Sequence, residues 1–105
     1  MAKKFVGVRW SIRAKNDLQD IHEFYIPIVG EEKAFGIIKN ILAKVTALEK
    51  SPINFGTPFR SERNLEMEYF KIGIPPHLVF YQIQNNEIQI LRLFDGRQNP
   101  EKLGL

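Results

Sequence analysis

Cysteine is absent from this chain of 105 residues. That one absence closes three routes together: disulfide stapling, thiol catalysis and cysteine-ligated zinc. Histidine occurs only twice, at His22 and His77. The two fall on different predicted elements, and a zinc site needs three or four ligands, so neither a metal nor another cofactor is expected. Ser11, Ser51 and Ser61 have no histidine–acid pair nearby in sequence, which leaves a hydrolase triad unsupported. Glycines are scattered: Gly7 stands alone and Gly30 ends a helix, so no phosphate-cradling loop is present. Apolar runs are short as well. None approaches the roughly 18 residues of a transmembrane helix. Phe5-Val6-Gly7-Val8, between Lys3-Lys4 and Arg9, is too brief for a signal-peptide core. The expected compartment is the cytoplasm, with no membrane association.

What the chain does contain is ordinary in amount and uneven in placement. Apolar residues make up 44% and charged residues 26%, the proportions of a globular domain, and the length suits one domain spanning 1–105. The net charge is +3. Residues 1–15 hold Lys3, Lys4, Arg9, Arg13 and Lys15 without an acid, and Arg60, Arg63, Lys71, Arg92, Arg97 and Lys102 form a second basic group. Such a distribution is either a solvated surface or a field favouring an acidic partner, protein or nucleic acid.

The elements follow from periodicity and punctuation. Phe5 to Trp10 reads as a short first strand, with Ser11 placed to cap the helix after it. Helix one is predicted over 12–26, carrying Ala14, Leu18, Ile21 and Tyr25 at the 4-3-4 spacing of one face, with Pro27 and Gly30 ending it. Helix two is predicted over 31–50, its start acidic (Glu31, Glu32) and its end basic (Lys50), as the helix dipole favours. Its spine is Ala34, Ile38, Ile41, Val45 and Leu48, with Ile37 and Leu42 on the flanks. The stripe spans roughly 160°, wide enough to pack on a sheet and on helix one together, or to leave a flank for a partner. Residues 51–66, rich in turn formers, read as an irregular connection. Three strands follow, over 68–74, 77–84 and 87–94. Pro75-Pro76 cannot continue a ladder, and Asn85-Asn86 tolerates the positive φ of a tight hairpin. Tyr69 and Tyr81 read as sheet packing, His22 as a half-buried surface group, and His77 as a structural hydrogen-bonding group or part of a partner surface.

Taken in order, Trp10-Ser11, Ala14, Asp17-Leu18, Ile21, Tyr25, Leu48, Pro52, Gly56, Phe80-Tyr81, Ile90-Leu91-Arg92, Gly96-Arg97 and Pro100-Glu101 make the chain resemble a known family. That family is the RelE/ParE superfamily of toxins from bacterial type II toxin–antitoxin modules, and the ParE branch is the nearer one. The resemblance runs from Phe5 to Leu103. It implies an α+β fold: a helical hairpin packed on a small antiparallel β-sheet, with the N-terminal strand added to the C-terminal three-stranded meander.

The resemblance implies one of two activities. RelE-type members cut mRNA on the ribosome without a metal, which requires cations on the scissile phosphate and an acid–base set. Arg63, Lys71 and Arg92 are candidate phosphate contacts. However, the position after the last strand, often histidine or arginine in relatives, is Asp95, which repels phosphate and is a poor proton donor at neutral pH. The terminal aromatic of RNA-cutting relatives is also missing. No catalytic residue is therefore assigned, and the implied function is a ParE-like inhibitor of DNA gyrase, neutralised by a cognate antitoxin and touching operator DNA only through it. The alternatives are a RelE-like endonuclease and a non-toxic, antitoxin-binding member of a repressor complex. The expected target surface is Arg60, Arg63, His77, Arg92, Asp95, Arg97 and Gln98, with Arg92 and Arg97 at a sheet margin where charge reversal leaves the fold intact. The expected antitoxin surface is Arg9, Arg13, Ile37 and Leu42.

Overall fold

The computed structural model describes residues 7–50, 56–95 and 103–105. Phe5, Val6, Ser51, Pro52, Arg97 and Gln98, which figured in the sequence reading, lie outside the described residues. Strand β1 (Gly7–Trp10) leads into α1 (Ile12–Val29) and α2 (Glu31–Ala47), with a 3-10 turn over Leu48–Lys50. Strands β2 (Thr57–Phe59), β3 (Tyr69–Ile74), β4 (His77–Gln84) and β5 (Glu87–Asp95) complete the fold. The sheet order is β1-β5-β4-β3-β2. The helical hairpin packs on this sheet, as expected.

Ser11 caps α1 by accepting the Ala14 amide at 3.0 Å. Pro27 does not end the helix but lies inside it. It is exposed, so the carbonyl deprived of its N–H sits on the solvent side and one more turn can form. Gly30 is the true stop. Its φ of +88° suits glycine; its N–H donates to the Ile26 carbonyl, and its own carbonyl receives the Ala34 amide that starts α2. One residue thus joins the two helices. On α2, Ala34, Ile38, Ile41 and Val45 are buried at 4-3-4 spacing, with Leu48 continuing the line. Leu18 and Ile21 are half-buried and pack against the core rather than lying within it.

The meander has the expected links, a turn at Pro75-Pro76 and a hairpin whose Asn85 and Asn86 take φ of 52° and 62°. Two features correct the sequence reading. First, β1 runs parallel to β5, with Gly7 opposite Glu87 and Trp10 opposite Ile90, so an otherwise antiparallel sheet has one parallel edge pair. Second, the supposedly irregular 51–66 segment contains β2, which pairs antiparallel with β3.

A bulge between β4 and β5 sets which side chains face the helices. Phe80 lies opposite Arg92 but Tyr81 lies opposite Ile90, leaving Leu91 as the extra residue. Ile88 and Ile90 join Val79, Tyr81, Ile41, Val45 and Leu48 in the main core. After the bulge the phase shifts, so Leu93 keeps that face while Phe94 joins Phe80 and Leu103 in a smaller cluster. Phe59 adds an edge-to-face contact there, 5.0 Å from Phe80 between ring centroids.

Truncating Ile41 (1% exposed) to alanine is expected to lower unfolding free energy by about 2–5 kcal/mol with an unchanged denaturant slope, measured by urea titration. Burial pushes the Tyr81 hydroxyl up to about 12. The neutral form is therefore favoured in the folded state, and its contribution is complete below pH 10. Stability is expected to fall as pH rises from about 10 to about 12, a loss that Tyr81→Phe removes in pH-dependent melting.

Candidate functional site

Strand β1 ends at Trp10, but β5 continues to Asp95. Beyond β1 the outer edge of β5 exposes backbone groups that need partners. The first turns of α1 supply them. Ser11 donates its amide to the Ile90 carbonyl at 2.9 Å and its hydroxyl to the Leu91 carbonyl at 3.0 Å. The Asp17 carboxylate accepts the Leu93 amide at 3.0 Å. The same carboxylate takes Arg92 in a two-pronged grip, Nε to Oδ2 at 2.8 Å and Nη2 to Oδ1 at 3.2 Å. Arg92 then donates from Nη1 to the Leu103 carbonyl at 2.7 Å. The Asp17 and Arg92 side chains are 15% and 13% exposed. Arg92 is therefore a clamp between α1, β5 and the tail, and not the tolerant margin residue that the sequence suggested.

The tail is held closely. Leu103 is buried against Phe80 and Phe94, and Ser61 donates its hydroxyl to the Leu105 carbonyl. Gly104 has φ +74°, a left-handed conformation that favours glycine, and the Arg13 guanidinium lies against it. These contacts bring the turn that carries Arg60 and Arg63 and the end of β5 to the same tail.

Two depressions flank the C-terminal half of α1. A cleft of about 350 Å³ between α1 and the end of the sheet is lined by Asp17, Asp20, Phe24, His77, Arg92 and Asp95, among others. A more apolar groove of about 430 Å³ runs between Tyr25, α2 and the β3–β4 turn, lined by Lys33, Ile37, Ile41, Ile74 and Pro76. Among the described residues no group of three or more acids and histidines is placed to hold a metal ion, and no helix is long and apolar enough to cross a membrane.

The expected site residues separate under this geometry. His77 is buried, its ring edge-on to Tyr25 with centroids 6.1 Å apart, and lies opposite Asp95 in the β4–β5 register. Asp95 is the last residue of β5, not the position after it. Arg60 and Arg63 are exposed. Arg9 forms an ion pair with Glu87 at 3.1 Å, and exposed Arg13 lies against Gly104. Ile37 lines the groove and Leu42 is 39% exposed on α2, whereas Arg9 lies on β1 and Arg13 in the first turn of α1, so the arginines and the aliphatics of the expected antitoxin surface stand on different elements. Sequence reasoning assigned no role to Asp17. Its signal was its place as the first acid in a stretch otherwise basic from the start.

The sequence matches, over residues 8–100, the family described as the ParE toxin of the type II toxin–antitoxin system parDE. The chain belongs to the ParE toxin family. It is a toxin component of the type II toxin–antitoxin class. No curated protein matches it significantly. Solved structures share the ParE-family fold. A chain of the chromosomal ParDE system from P. aeruginosa aligns with a TM-score of 0.72 at 23% identity, over 89% of this chain and 98% of that one. A chain of the RelBE2 toxin–antitoxin complex from Mycobacterium tuberculosis gives 0.63 at 20%, over 85% and 95%. The YoeB/ParE toxin from Agrobacterium tumefaciens gives 0.57 at 13%, over 86% and 98%.

In this ParE-family toxin, Asp17→Ala leaves a half-buried guanidinium and a strand-edge amide without their acceptor. A loss of about 3–5 kcal/mol is expected, close to that of Arg92→Ala, and the double variant should cost much less than the sum. Denaturant unfolding of the four proteins in a double-mutant cycle measures it.

Proposed function

We propose that this ParE-family toxin acts by inhibiting DNA gyrase, blocking the topoisomerase in its cleavage cycle, and that a cognate antitoxin neutralises it. The observation that carries this reading over a ribonuclease is the engagement of Arg92. Metal-independent RNA cleavage needs cations to hold the scissile phosphate and neutralise the developing charge. Arg92 is committed to Asp17 and the Leu103 carbonyl. The Lys71 ammonium lies over the Phe59 ring, 5.8 Å from its centroid. Of the three candidate phosphate contacts, Arg63 alone is exposed. At the end of β5 stands the carboxylate Asp95, of the wrong charge for phosphate. An inhibitor needs none of this chemistry, only a surface. Arg60 and Arg63 on the turn beside the tail offer such a surface, held by a rigid sheet.

The antitoxin reading is supported by family membership and by the toxin–antitoxin systems from which two of the similar structures come. The segment expected is largely disordered when free. It folds on binding, setting apolar anchors on α2 around Ile37 and Leu42 and carboxylates near Arg9 and Arg13.

Expression is expected to induce DNA-damage signalling, and the purified toxin to inhibit gyrase supercoiling or trap cleaved DNA. Arg60→Glu and Arg63→Glu should weaken that inhibition by about tenfold each with unchanged melting temperature, since both side chains are exposed. Cleavage of mRNA on ribosomes with normal supercoiling would replace this reading with the RelE-like one. A folded protein with neither activity that still binds the antitoxin would mark a non-toxic repressor partner.

A further inference from the structure

Ser61 is a buried polar residue at the head of a segment that faces solvent. It is 5% exposed, whereas Glu62, Arg63, Asn64, Leu65 and Glu66 after it are all exposed. Its hydroxyl is used twice: it donates to the Leu105 carbonyl and accepts the Arg63 amide at 3.2 Å. Its own carbonyl accepts the Asn64 amide at 3.2 Å, which closes a turn around Glu62 and Arg63. The Asn64 side chain then donates to the Tyr69 hydroxyl on β3 at 3.3 Å. The turn is therefore pinned at both ends, to the tail by Ser61 and to the sheet by Asn64. Between the pins stands Arg63. Arg60 is placed differently, since it directly follows β2, whose last residue, Phe59, is paired with Tyr69.

We propose that Ser61 is a positioning residue for the gyrase-binding surface: its buried hydroxyl, gripped by the tail, fixes the direction in which Arg63 leaves the turn. The proposal rests on the reading of Arg60 and Arg63 as contacts to gyrase. The physical need is set by the neighbours. Glu62 and Glu66 are exposed close to Arg63 in sequence, and a loose turn would let the guanidinium fold onto either carboxylate. Among the described residues Arg63 is in no ion pair. A long side chain on a loose turn also loses conformational entropy when it binds, and a turn that is already ordered reduces that loss. The tail is a firm support. Leu103 is buried against Phe80 and Phe94, and its carbonyl is bonded by Arg92 at 2.7 Å. Tying down the tail alone would need only the bond from Ser61 to Leu105. The second bond, to the Arg63 amide, is the one that directs the arginine.

Gyrase supercoiling assays with the full-length chain test this, with the melting temperature measured for every variant. Ser61→Ala should weaken inhibition about fivefold. Added to Arg63→Glu, it should cost less than about twofold more, because the arginine it aims is gone. Added to Arg60→Glu, it should still cost about fivefold. A loss through loosened folding would multiply equally with both, so equal factors in the two cycles overturn the assignment. Inhibition by Ser61→Ala equal to that of the wild type overturns it too, and in either case the gyrase reading stands. If Ser61→Ala is not folded at the assay temperature, Tyr69→Phe takes its place, since it frees the Asn64 pin without touching the tail. That variant should weaken inhibition about threefold, and only where Arg63 is present. No loss, or the same loss beside Arg63→Glu, overturns the assignment. If the folded wild type does not inhibit gyrase, the gyrase reading fails and the Ser61 assignment falls with it.

Discussion

One carboxylate holds this fold together where its sheet would otherwise be open. β1 covers only the first half of β5, and the remainder of that edge has no strand beside it among the described residues. Asp17 closes the gap by accepting the Leu93 amide and both prongs of Arg92. A half-buried ion pair in isolation is a doubtful source of stability, because desolvation offsets the attraction. Here the acid also satisfies a strand-edge amide and the guanidinium also satisfies a carbonyl, so the polar groups are mutually saturated. The angle of α1 on the sheet follows from that contact, and so does the wall of the cleft.

The bulge at Leu91 makes the clamp possible. Without the extra residue, strict alternation would turn Arg92 toward the apolar core and Leu93 away from it. With it, Leu93 packs under the helices and the guanidinium is carried to Asp17 and the tail. The opposite sheet face then acquires its own small core of Phe80, Phe94 and Leu103, with Phe59 and Leu105 against it. The tail is thereby part of the packed structure, and Arg92 ties it to α1.

Charge beside the tail is mixed: Arg60 and Arg63 stand exposed with Glu62 between them and Glu66 and Glu68 following, all exposed as well. The cleft on the other side of the Arg92 clamp is lined by Asp17, Asp20 and Asp95 together with Arg92 and His77. The basic residues are thus interleaved with acids or engaged by them, and they do not form one phosphate-binding field.

The sequence alone determined the elements whose signals are local. The 4-3-4 spacing on both helices, the Ser11 cap, the glycine stop at Gly30 and the paired asparagines of the β4–β5 hairpin each act within a few residues, and each appears in the structure. The motif order also pointed to the ParE branch. Pro27 misled because its cost, a lost hydrogen bond and a clash with the carbonyl four residues back, falls on an exposed last turn where water can satisfy that carbonyl. The strand β2 was hidden because three residues carry no readable period. The bulge left a trace, a break in alternation between Ile90 and Leu93, but a break does not say which side chain is redirected. Tertiary structure alone decided the parallel partner of β1, the burial of Arg92 and the bond from Ser61 to the tail. Asp17 and Arg92 are 75 positions apart. Nothing in the local pattern of either residue encodes the other, because an ion pair is selected by the folded geometry that brings the charges together.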